Sequence, residues 1–380
     1  MVHFRPIAVV LAIAALGVQA SPAIQNLQPR ASPQVKARNA QQIRLDFMSD
    51  AIGYQATPDM IADLNAGPIT NVIKTKASPA RKANKSPEEI AVKELEDMDK
   101  PAPSLVNAAN GEVITGAVLN LVKSKQLYAA AAYCLNGLDD WTCRERCPKG
   151  IKLVKAFDDI VTNSVCYVAY SLENKEIIVS YRGTASIRSF VTDLQLYKAD
   201  ADYGLERIPT PKNAKVHSGF LVATTVTSKG VHEAIEQVFK QFGRDFTISV
   251  VGHSLGGAIG ILSSIELYDW LGEAFAKRIK VFTYGQPRVG NQIWADWVET
   301  LPFAKDIYRI THDKDIVPHL PPTLLSFRHH QDEIWINSKG TLLSCDDDKG
   351  EARNCANSVV ALSVIDHLTG YFAVPFGPWC

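Results

Sequence analysis

Gly252-His253-Ser254-Leu255-Gly256 places one serine between two glycines, each two positions away. A serine hydroxyl attacks a carbonyl only when a neighbouring base takes its proton, and it must stand clear of the backbone to do so. The flanking residues supply that setting. Phe246–Val251 is a β-rich apolar run leading into Gly252, and Gly257–Leu262 opens a helical run. Strand, strained turn and helix around G-x-S-x-G is the arrangement in which such a serine performs acyl transfer. A plain glycine-rich strand-to-helix turn shares the local composition, so the case depends on the serine's partners.

Those partners are expected downstream, an acid and then a histidine. Asp313 and Asp315 both follow an apolar run ending near Thr311. Asp315 leads directly into Ile316-Val317-Pro318, which fixes its backbone, whereas Asp313 reads as a turn residue. For the base, His367 follows the last substantial apolar segment. His312 and His319 lie too near the acid, His217 precedes the serine, and His253 inside the turn reads as structural. His329 and His330 form a polar pair without a spaced third ligand, so a metal reading is weak. In this scheme Ser254 forms the acyl-enzyme, His367 takes its proton and Asp315 holds the imidazole. The tetrahedral intermediate also needs donors for its oxyanion. One is the N–H of Leu255 at the helix start; the other is Thr184, which closes the strand-like Glu176–Thr184. Just beyond it, Ile187, Phe190, Val191 and Leu194 fall at i, i+3, i+4 and i+7, one apolar face of a short helix. Taken alone that stripe is a core helix. Beside Thr184 it reads as a movable cover.

The elements that must position these groups alternate along the chain. Strands are expected at Ser164–Leu172, Ile177–Tyr181, Phe246–Gly252, Ile279–Gly285 and Ile307–Thr311. Helices are expected over Val113–Tyr133, near Gly230–Phe242, from Leu255 and after Asn291. This order predicts an α/β fold, a mainly parallel sheet covered by helices, over residues 109–380.

Composition narrows the function further. Lys+Arg and Asp+Glu balance at 40 each in 380 residues, so no global field favours nucleic acid. Arg5, the apolar run Ile7–Val18 and Ala20 form a secretory signal peptide over 1–20, too short to span a bilayer comfortably. Residues 21–108 lack Cys and Trp and carry Pro-rich stretches, a basic block at Lys74–Lys85 and an acidic one at Glu88–Asp99. They read as a pro-segment, with Arg81-Lys82 and the stretch after Lys100 as candidate cut sites. All seven cysteines lie beyond residue 130. Cys166 sits in an apolar strand and reads as a core residue. Among the other six, Cys143/Cys147 and Cys345/Cys355 are near neighbours, which leaves Cys134 for Cys380.

Taken together, several stretches resemble the filamentous-fungal class 3 triacylglycerol lipases of the Rhizopus and Rhizomucor kind. They are Tyr181–Thr184 with Ser186–Ser189, Val216–Phe220, Gly252–Gly257, Gly285–Gly290, Asp315–Pro322 and Asp366–Leu368, spread over 109–380. The resemblance implies an α/β-hydrolase fold, a triad of Ser254, Asp315 and His367, and an oxyanion hole from Thr184 and Leu255. It also implies a helical lid near 185–196, the three disulfides above, no metal or cofactor, and a secreted enzyme acting at a lipid–water interface without an obligate protein partner. Two features depart from the pattern: Phe190 stands where some relatives have Trp, and Cys166 lies outside the usual pairing. A same-fold esterase on soluble esters is the nearest rival, disfavoured by the apolar stripe. A non-catalytic lipid carrier is the other, disfavoured by an intact set of triad residues.

Overall fold

Long apolar runs rich in Val and Ile make strands buried on both faces, and they form the centre of the molecule. The computed structural model describes residues 111–380 apart from 139, 160–163, 185–196, 331, 346–349, 360–361, 370, 373–374 and 378–380. The expected signal peptide and pro-segment, the stripe of Ile187, Phe190, Val191 and Leu194, and Cys380 lie outside the described residues.

In chain order the elements begin with β1 (Glu112–Val113), α1 (Gly116–Ala131), α2 (Leu135–Leu138), β2 (Lys152–Asp159), β3 (Ser164–Ser171) and β4 (Glu176–Tyr181). There follow β5 (Lys198–Asp200), β6 (Lys215–His217), α3 (Ser218–Phe242), β7 (Thr247–His253) and α4 (Leu255–Leu271). The chain ends with β8 (Ile279–Tyr284), α5 (Gln292–Val298), β9 (Ile307–His312), β10 (Glu333–Ile336), β11 (Leu342–Cys345) and α6 (Val364–Thr369). The main sheet has nine strands in the order β1-β11-β10-β9-β8-β7-β4-β3-β2, and β5 and β6 pair separately. β4, β7, β8, β9 and β10 are mutually parallel. The edges are antiparallel, so the sheet is mixed with a parallel centre. After β1 the chain crosses the sheet through α1 and then steps back strand by strand. Glu112, Val113 and Val118 line one groove with Lys305 and Ile307, at the beginning of β9.

Alternation along the strands splits the core in two. Ile177, Val179, Ile248, Val250 and Val281 face α3 and α4. Their neighbours Ile178, Val251 and Phe282 face the other way, with Tyr128 and Ala129 of α1. α4 is apolar around almost its whole circumference, as a helix enclosed between sheet and α3 must be.

α3 differs from the sequence expectation, since it starts at Ser218 rather than near Gly230. The Thr-rich stretch in between carries weak helix propensity. Thr224, Thr225 and Thr227 instead donate to carbonyls one turn back, at 2.9–3.1 Å. An unusual cap starts the helix: His217 Nδ1 accepts from the N–H groups of Gly219 and Phe220 at 3.1 and 3.3 Å. Cys143 is bonded to Cys147 and Cys345 to Cys355. Cys134 is also disulfide-bonded. Cys166 is free and buried, and burial pushes its thiol up, so it behaves as a small apolar residue.

Candidate active site

The turn between β7 and α4 is strained at Ser254, which has φ 58°. That left-handed backbone lifts the side chain off the strand line and leaves little room around it. A Cβ on Gly256 would run into the Tyr181 carbonyl, one on Gly252 into the Gly256 carbonyl, and one on Gly183 would lie 2.8 Å from Ser254 Cβ. Glycine is therefore a packing requirement at both flanks. Ser254 N–H donates to Tyr284 O at 2.9 Å and the Ser254 carbonyl accepts from Gly257 N–H at 2.8 Å, fixing the turn from both sides. Leu255 begins α4, so its N–H has no intrahelical acceptor.

Asp315 follows β9 and His367 lies on α6, 52 residues further on. His367 Nδ1 lies 2.9 and 2.8 Å from the two carboxylate oxygens of Asp315. A buried carboxylate is costly unless donors surround it. Asp315 has two more: Val317 N–H at 2.8 Å and the Tyr371 hydroxyl at 2.6 Å. Burial first, and then the adjacent Asp315 charge, hold the Tyr371 phenol far above its ordinary range, so it remains a donor. A Cβ on Gly285 would sit 2.6 Å from Asp315 Oδ2 and 2.8 Å from the His367 ring, so β8 approaches the pair through a glycine. Asp313 does not join them. It sits at φ 20° in the turn after β9, its N–H donating to Ile336 O at 2.8 Å.

With Nδ1 donating to Asp315, His367 presents a lone pair at Nε2. Ser254 and His367 are 0% exposed and Asp315 is 1% exposed. Yet Ser254 Oγ, His367 Nε2 and Thr184 Oγ1 are buried atoms that make no hydrogen bond among the described residues. Other buried atoms, Thr283 Oγ1 and Trp294 Nε1 among them, also lack partners, so what marks these three is that they adjoin the Ser254 turn and the Asp315–His367 pair. No hydrogen bond therefore joins Ser254 to His367.

Four other histidines have partners of their own. His217 caps α3. His329 Nε2 donates to Pro318 O at 2.7 Å, and His330 Nε2 lies 3.3 Å from Gln286 Nε2. Arg288 holds Glu351 through two bonds at 2.7 and 2.8 Å and reaches the His319 and Pro321 carbonyls, bracing the loop that carries Asp315. His253 is fully buried between Tyr133 and the His367 backbone. Sequence reasoning missed Tyr371 and Tyr133 altogether. A lone tyrosine has no spacing signal, although the four-residue step from His367 to Tyr371 would put both on one side of a continued helix. Among the described residues no group of three or more His, Cys, Asp or Glu is arranged to hold a metal, and no helix is long and apolar enough to cross a membrane.

A parallel-centred sheet with a serine at a strand–turn–helix elbow, and an Asp–His pair brought in from later segments of the chain, defines an α/β-hydrolase. The comparisons agree. The family model for lipase (class 3) matches residues 178–325. A lipase of Rhizopus oryzae is 31% identical over 294 residues, covering 73% of this chain and 71% of that protein. A secreted mono- and diacylglycerol lipase of Fusarium solani is 32% identical over 214 residues, 54% of this chain and 59% of that one. A solved triacylglycerol lipase, described as having a serine protease triad at its catalytic centre, superposes with TM-score 0.63 at 30% identity, over 70% of this chain and 98% of that one. The chain belongs to the fungal class 3 lipase family, and it is a carboxylic ester hydrolase.

Proposed function

We propose that Ser254, Asp315 and His367 are the nucleophile, acid and base of a secreted lipase that cleaves water-insoluble esters, triacylglycerols foremost, at the lipid surface. The observation that carries this reading is the strained turn at Ser254 beside an Asp315–His367 pair whose carboxylate also accepts from Val317 N–H and Tyr371, with Ser254 Oγ, His367 Nε2 and Thr184 Oγ1 left unbonded. Each unpaired atom has a task in acyl transfer. His367 Nε2 takes the proton as Ser254 Oγ attacks the ester carbonyl, and Asp315 stabilises the imidazolium that forms. The oxyanion receives hydrogen bonds from Leu255 N–H and from Thr184. His367 then returns the proton to the leaving alcohol. Water, deprotonated by the same imidazole, releases the fatty acid and restores the serine.

The nucleophile has no solvent exposure, so an insoluble substrate reaches it only after something moves. Residues 185–196 follow Thr184 directly, and we assign them as that lid, opened by contact of Ile187, Phe190, Val191 and Leu194 with lipid. The signal peptide at 1–20 exports the chain, 21–108 is removed on maturation, and 109–380 is the enzyme. One titration tests the substrate reading: hydrolysis rate against concentration of a short-chain triacylglycerol, carried through its solubility limit. A rise in rate as droplets form supports a lipase acting at interfaces. Smooth saturation through the limit would assign soluble esters instead. Comparison of tri-, di- and monoacylglycerol emulsions then fixes which glyceride is preferred.

A further inference from the structure

Behind the proposed nucleophile, a line of hydrogen bonds connects four separate segments. Gly183 N–H donates to Tyr133 Oη at 3.1 Å, Tyr133 Oη lies 2.6 Å from His253 Nδ1, and His253 Nε2 lies 2.9 Å from the His367 carbonyl oxygen. The roles in this line are forced. A carbonyl only accepts, so His253 carries its proton on Nε2 and must accept at Nδ1. The phenol supplies the proton for that bond, while its oxygen receives the Gly183 N–H. The line therefore runs in one direction, from the residue before Thr184, through Tyr133 and the residue before Ser254, to the backbone of His367.

We infer that Tyr133 and His253 are positioning residues, a polar strut that sets the His367 backbone and the Gly183–Thr184 turn against Ser254. The inference rests on the reading of Ser254 and His367 as nucleophile and base. Asp315 grips only the far edge of the imidazole. The place of His367 is also set by α6, which is six residues long. The neighbouring backbone bonds are Ser363 N–H to Lys314 O at 2.6 Å and Phe376 N–H to Leu368 O at 2.7 Å. The strut adds a hold on His367 itself, from the sheet side. His253 is kept rigid by stacking on Phe376 with ring centroids 3.8 Å apart, and its ring lies 4.3 Å from that of His367. Burial, then the neighbouring His367, hold His253 well below the ordinary histidine range. It is neutral during turnover and does not oppose the charge that develops on His367.

A buried polar line could serve folding alone, and the two roles separate in kinetics. Tyr133→Phe keeps the ring and removes the hydroxyl; His253→Ala removes the middle of the strut. Both are measured on a dissolved short-chain ester, on enzyme shown folded by near-ultraviolet circular dichroism. The expected result for Tyr133→Phe is kcat lowered roughly 10- to 100-fold with KM within about twofold. The double variant is expected to be no worse than the poorer single, because both substitutions break one line. Folded Tyr133→Phe with unchanged kcat, or losses that multiply in the double variant, would overturn the strut. Ser254→Ala run alongside keeps the two readings distinct. Activity surviving there removes the nucleophile assignment, whereas an inactive Ser254→Ala with a fully active Tyr133→Phe removes only the strut.

Discussion

At the scale of single residues, the assignments predict a graded set of losses. Ser254→Ala and His367→Ala are each expected to lower kcat on the order of 10⁶-fold, since triad members act as a unit. Asp315→Asn is expected to cost about 10⁴-fold by upsetting the imidazole tautomer, and Asp313→Asn almost nothing, its side chain lying outside the Asp315–His367 pair. Steady-state kinetics on a dissolved ester reads all four, and an inactive Asp313→Asn beside an active Asp315→Asn would reverse the acid assignment. Thr184→Val keeps the shape and removes an unpaired hydroxyl, so kcat falls roughly 10²- to 10³-fold at constant KM. Unchanged kcat would leave the second oxyanion donor to a backbone group. Ser254, Asp315 and His367 could be singled out in the sequence because each lies in a local pattern: G-x-S-x-G, D-I-V-P, and a histidine after the last apolar segment. Tyr133 and Tyr371 could not. Their bonds to His253 and Asp315 span 120 and 56 residues, and only the folded sheet brings those positions together.

At the scale of elements, the proposed lid makes the sharpest prediction. If Ile187, Phe190, Val191 and Leu194 form that lid, opening it in water would expose them, at about 1.5–3 kcal/mol for each side chain fully exposed. A lipid surface absorbs that face and removes the cost. Moving an equilibrium from mostly closed to mostly open needs about 5.5 kcal/mol of differential affinity, within reach of four such side chains. Phe190→Asp is therefore expected to blunt the rate increase on emulsified triacylglycerol while sparing hydrolysis of a dissolved short-chain ester. An undiminished increase would remove Phe190 from the lipid contact. Elsewhere, legibility followed periodicity. The central strands and α4 stand out because burial on both sides makes them continuously apolar. The beginning of α3 is hidden because a histidine cap and back-bonding threonines replace the usual start signals. The strands β2, β10 and β11 went unmarked: β2 is interrupted by Lys152, Lys155, Asp158 and Asp159, and β10 and β11 are only four residues each, so none carries the long apolar run that flags a central strand.

At the scale of the whole molecule, buried histidines link stability to pH. Burial, helped by Arg288, pushes His319 down from 6.5 to about 4, and burial likewise holds His253 and His329 well below the ordinary range. Between about pH 6.5 and 4 the unfolded chain binds protons that the folded chain refuses, so stability present above that window is lost as pH falls through it. His319 alone contributes on the order of 3 kcal/mol. The urea midpoint is expected to drop steeply from pH 7 to 4.5, and His319→Asn to flatten the slope; a midpoint independent of pH over that range would contradict the account. The entry of the chain has a consequence for handling the enzyme. Glu112 and Val113 sit beside the beginning of β9, whereas Asp315 follows its end, about 20 Å away along six residues of strand. β1 also lies five strands from β7, about 24 Å across the sheet. A solid support, fusion partner or affinity handle joined ahead of residue 111 would therefore attach at a sheet edge and strand end remote from Ser254 and Asp315.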